Sequence, residues 1–130
     1  MISLVYFWTF WTNILFVIPA YIAISNRLWL HAIFITATMT FSFLYHFHNG
    51  QSFILEDKMA AIALIAVNSV LLIDGLVRQN HHWWFWVALG TASLSLLLLY
   101  TEARFPGTHG SWHVLSVLVT IFCQMFFLGL

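Results

Sequence analysis

SFLYHFHNGQSFILED, residues 42–57, leaves one apolar stretch, turns, and runs into the next. Asn49, Gly50, Gln51 and Ser52 supply the break, because Asn, Gly and Ser favour turns and serve poorly inside a helix. Ser42 and His46 precede the turn and Asp57 follows it. A helical hairpin built on this stretch therefore carries a hydroxyl, an imidazole and a carboxylate to one end of the molecule.

The flanking sequence decides what kind of hairpin this is. Of 130 residues, 62% are hydrophobic, 18% aromatic and only 6% charged, too little polar surface to cover the core of a water-soluble domain. Apolar runs recur along the chain, and about 20 apolar residues suffice to cross a hydrocarbon layer as a helix. Five such runs cover about residues 2–24, 28–48, 55–77, 83–101 and 108–130. The expected fold is all-α: a single polytopic transmembrane helix bundle of about five spans, integral to a membrane.

The formal net charge is zero, and the basic residues are Arg27, Lys58, Arg78 and Arg104. No polybasic patch exists, so nucleic acid is not an expected partner. Arg27 and Arg78 fall on one side and Lys58 and Arg104 on the other, which leaves the orientation open. Cys123 stands alone in an apolar run and forms no intrachain disulfide. The first run is too long and too aromatic for a signal peptide and reads as a structural span. Pro19 within it is tolerable where neighbouring helices satisfy the carbonyl it frees. Thr9, Thr12 and Asn13 read either as hydrogen-bonding groups between helices or as the lining of a cavity. TATMTFS at 36–42 has the small and hydroxylated residues of a close helix contact, and WWFW at 83–86 reads as an aromatic belt.

Alternation of five spans places the end of the second and the starts of the third and fifth on one membrane face. His46, Asp57, His109 and His113 then arrive together. Ser42 with His46, and His109 with His113, are i, i+4 pairs, one turn apart on a helix side. Each feature alone has a plainer reading. A histidine pair arises by chance, an aspartate at a helix start is favoured by the dipole, and a helical serine bonds back to its own helix. Their convergence favours a metal site, because ionisable groups cost roughly 2.5–3.5 kcal/mol each at membrane depth and a metal repays that cost. Three imidazoles with an open fourth position are the ligand set of a catalytic zinc ion. His31, His48, His81, His82, Glu56, Asp74 and Glu102 are left with interfacial or loop roles.

S-x-x-x-H at Ser42 and His46, an aspartate eleven residues later at Asp57, and H-x-x-x-H at His109 and His113 in the last span together resemble the CREST superfamily. That group of membrane metal-dependent hydrolases and receptors includes alkaline ceramidases, the progestin and adiponectin receptors, and proteins that remodel lipid anchors. SFLYH and its spacing to Asp57 are similar to the ceramidase and lipid-remodelling branches, and FWTNILFVIPAYIAISNR of the first span looks like the ceramidase opening helix. The superfamily normally has seven spans, so this would be a minimal five-span version. The resemblance implies Zn2+ held by His46, His109 and His113, with Ser42 and Asp57 as the catalytic residues beside it.

The expected function is zinc-dependent hydrolysis of a membrane lipid amide or ester, with Asp57 as general base and Ser42 steadying the water or the oxyanion. Two other classes stay open. One is a lipid-sensing or scaffold protein with a structural zinc. The other is a metal or proton carrier, which requires polar residues continuing across the membrane. Five spans leave room for a homo-oligomer in which a second copy completes the pocket.

Overall fold

A computed structural model describes residues 4–48, 52–78, 83–101 and 109–130, all of it helical apart from short turns and chain ends. In chain order these are α1 (Leu4–Thr12), a 3-10 turn (Asn13–Phe16), α2 (Val17–Ser25), α3 (Trp29–Phe47), α4 (Ile54–Val77), α5 (Trp84–Thr101) and α6 (His109–Leu128). Five helical stretches are long and apolar enough to cross a membrane: Phe7–Ser25, Trp29–Phe47, Ile54–Val77, Trp84–Thr101 and His109–Leu128. The chain is thus a multi-pass helical membrane protein with the expected spans. The breaker at 49–51, residues 79–82 with His81 and His82, and the loop at 102–107 with Glu102 lie outside the described residues.

The first span differs from a simple helix. It is interrupted at Asn13–Phe16, and two local causes coincide there. The Thr12 hydroxyl and the Asn13 amide both donate to the Thr9 carbonyl, at 2.9 and 3.2 Å, a local alternative to the regular ladder. Pro19 adds the second cause, since it has no N–H for the carbonyl four residues back. Gln124 Nε2 donates to the carbonyl of Pro19 itself, at 2.9 Å, and so pins the span to α6 just past the break.

α6 is the central post. It packs against α1, α2 and α4, and it is the main support of α5; α3 fits between α2 and α4. Phe16, Ala20, Ala23, Ala32, Ile35, Leu64 and Val117 form the principal core. Ala20, Ala23 and Ala32 let the backbones of α2 and α3 approach closely, on which packing between membrane helices depends. The 36–42 stretch behaves as read: Thr38 donates to the Ala60 carbonyl at 3.1 Å across the α3–α4 contact. A second cluster, Leu71, Ala88 and Cys123, joins α4, α5 and α6. Trp83 and Trp86 are exposed, while Trp84 stacks on Phe122 with ring centroids 5.4 Å apart.

Because α3 ends where α4 and α6 begin, His46, Asp57 and His109 share one end of the bundle. The start of the first span reaches the same end. Any Cβ at Gly110 would run into the Trp8 indole, so glycine is what lets that ring lie on the first turn of α6.

Candidate metal centre

Two helices supply the imidazoles. His46 lies in the last turn of α3, one turn after Ser42, and His109 and His113 occupy successive turns at the start of α6. Their ligating nitrogens all lie within 4.8 Å of one another. His46 Nε2 and His109 Nε2 are 3.2 Å apart, and the three ring centroids are separated by 4.7, 4.9 and 5.3 Å. Ser42, His46 and His113 are buried and His109 is partly so. The sequence thus correctly brings three histidines into one cluster, and together they could hold a metal ion.

The fit to a metal can be tested on the nitrogen spacing. Two nitrogens bound to one tetrahedral ion at 2.0–2.1 Å are separated by about 3.3 Å. The His46–His109 pair already has that separation. An imidazole-to-imidazole hydrogen bond has a similar length, so the third ring is what distinguishes the arrangement.

The other two expected site residues stand differently. Ser42 Oγ lies 3.4 Å from His113 Nε2, directly against the cluster. Asp57 sits half-buried in the first turn of α4 at the same end, but among the described residues the set with mutually close ligating atoms contains the three histidines and no carboxylate.

Several residues belong to the site or its surroundings without having been singled out for it. Thr12 Oγ1 lies 3.3 Å from His113 Nδ1. The polar patch of the first span thus bonds within its own span through Thr12 and Asn13 and reaches the cluster through Thr12. Its pairing with the last span was not legible, since nothing in the order of helices along the chain says that first and last meet. Trp112 is the other addition, with its ring 5.7 Å from that of His109 and 5.3 Å from that of His113.

Beside Trp112 opens a cavity of 110 Å³ between α4 and α5, floored by α6. Leu64, Ile65, Leu72, Ala92 and Leu96 line its apolar walls, while Asn68, Ser95, Ser116 and Thr120 give it a polar strip. The Ser95 and Ser116 hydroxyls are 3.4 Å apart and Thr120 donates to the Ser116 carbonyl, so that strip is bonded within itself.

His31 corrects an expectation. Its place near the end of its span suggests an interfacial role, yet it is only 2% exposed. Its Nε2 lies 2.8 Å from Asn68 Oδ1 and its Nδ1 3.2 Å from Gln124 Nε2. The apolar residues around it hid this, because burial depends on which face of α3 the neighbouring helices cover. Asp74 keeps a peripheral role, paired with Arg78 at 2.9 Å.

Compared with known proteins, the chain matches no family model, no curated protein and no solved structure.

Proposed function

We propose that this chain is a zinc-dependent integral-membrane hydrolase that cleaves a lipid amide or ester bond. The observation that carries the reading is the convergence of His46, His109 and His113 from two helices at spacing suited to one ion, beside an apolar cavity at membrane depth. The likeness of Ser42, His46, Asp57, His109 and His113 to the CREST motif points the same way.

Zinc, when bound, supplies a nucleophile at neutral pH by lowering the pKa of a water to about 7, and it polarises a carbonyl. The protein's own residues supply the rest. Asp57, at the same end of the bundle, takes the proton of the attacking water and returns it to the leaving amine or alcohol. Ser42, already against the cluster, donates to the oxygen on which charge develops. The apolar walls between α4 and α5 hold an acyl chain, and Trp112 closes the cavity beside the imidazoles so that the chain's carbonyl end faces them.

Two observations favour a second reading. The Ser42 hydroxyl is in reach of His113, and Asp57 is outside the tight cluster. That arrangement also suits a scaffold or lipid sensor in which zinc merely ties α3 to α6.

Purified protein in detergent separates these readings. Zinc content is measured first, and hydrolysis is then assayed on ceramides, phospholipids and acyl amides. The hydrolase reading expects stoichiometric zinc, its loss in His46→Ala and in His113→Ala at unchanged helicity, and turnover of at least one lipid class. Asp57→Asn should retain zinc and lose about 10²–10⁴-fold in rate. Undiminished turnover in Asp57→Asn removes the proton-transfer role. Bound zinc with no turnover leaves the scaffold, and absence of zinc removes both.

A further inference from the structure

We propose that Thr12, on the first span, is a positioning residue for His113: its hydroxyl accepts the Nδ1 proton of that ring and so presents Nε2, as a lone pair, to the site shared with His46 and His109. The purpose of this arrangement rests on the zinc reading above, whereas the hydrogen-bond argument does not.

A threonine hydroxyl has one proton to give. That of Thr12 is committed to the Thr9 carbonyl, 2.9 Å away, and a carbonyl can only accept. Toward His113 Nδ1, at 3.3 Å, the same oxygen is therefore left to act as acceptor. That contact requires a proton on Nδ1. In a neutral imidazole only one nitrogen carries it, so Nδ1 is protonated and Nε2 is the acceptor. Ser42 Oγ, 3.4 Å from Nε2, then becomes the donor in that contact.

Burial makes the assignment consequential. Thr9, Thr12, Ser42 and His113 are 1%, 3%, 2% and 1% exposed, so water does not substitute for the missing partner if one is removed. Metal-ligating histidines depend on such outer partners to fix tautomer and ring orientation, and loss of a partner typically costs 10–100-fold in metal affinity. The interrupted first span thus has a role beyond crossing the membrane, since Thr12 is its last residue before the 3-10 turn. Thr12 ties the site to a helix that contributes no ligand.

The test uses the full chain in detergent. Nitrogen-15 shifts of the His113 ring are recorded in zinc-free protein, and zinc affinity is measured by competition with a chelator for wild type, Thr12→Val and Thr12→Ser. The expected result is protonated Nδ1 and unprotonated Nε2 in wild type. Zinc affinity should fall about tenfold or more in Thr12→Val and return to within about threefold of wild type in Thr12→Ser, which keeps the hydroxyl. A protonated Nε2 in wild type overturns the proposal, as does wild-type affinity in Thr12→Val. If Thr12→Val does not fold, the wild-type tautomer and the serine variant still decide. Protonated Nδ1 in a protein that binds no zinc would sink the hydrolase reading while upholding the hydrogen bond argued here.

Discussion

At Gln124 one carboxamide joins three helices. Its Nε2 donates to the Pro19 carbonyl of α2 and to His31 Nδ1 of α3. His31 therefore carries its proton on Nε2 and donates to Asn68 Oδ1 of α4, and Asn68 Nδ2 in turn donates to Thr120 Oγ1 of α6 at 3.1 Å. The directions are mutually consistent and the loop returns to the helix on which it began. Amides flank His31 on both sides and do not readily pass protons, so the continuing polar row looked for in a carrier is here a structural tie. Replacing Gln124 by Leu strands buried polar atoms on two helices, at a cost of about 1–3 kcal/mol. Thermal unfolding in detergent should show a lowered midpoint. On the zinc reading proposed above, zinc content should not change, because Gln124 lies eleven residues from His113, about 16 Å along the helix. An unchanged midpoint would mean that the tie carries no stability, and loss of zinc would mean that the two levels are coupled.

At the scale of elements, the contact between α1 and α6 sets the position of two imidazoles. Gly110 sits between His109 and His113 and is covered by Trp8, whose indole occupies the space of the missing Cβ. Gly110→Ala forces either the indole or the first turn of α6 to move. Overpacking of this kind costs about 1–3 kcal/mol, and on the zinc reading proposed above displacement of the turn should also weaken zinc binding. Melting and chelator competition measure the two effects, and wild-type values in both would contradict the close contact. Gly75 makes the same accommodation at the other end of the bundle, where an added Cβ would come within 2.6 Å of Phe126 Cε1. Both glycines are therefore determinants of helix spacing, although each lies in an unremarkable helical pattern.

In the molecule as a whole, α5 leans on α6, and this leaves the cavity between α4 and α5. If the chain is the hydrolase proposed above, filling the cavity with Ala92→Trp should lower kcat/KM for long-chain lipid substrates while leaving zinc affinity intact. Equal loss on short and long acyl chains would show that the chain lies elsewhere. The five spans, their alternation and the meeting of His46 with His109 and His113 were all legible in the sequence, because apolar run length, turn residues and helical periodicity are local properties. By themselves these indicated five helices long and apolar enough to cross a membrane and the end of the bundle at which His46, Asp57, His109 and His113 meet. Only the tertiary structure decided which helix stands in the centre, that Thr12 reaches His113, that His31 is buried, and that Asp57 lies outside the tight cluster. Those outcomes depend on the rotation and lateral order of helices, which no single helix carries in its own pattern and which only the mutual packing of all five spans resolves.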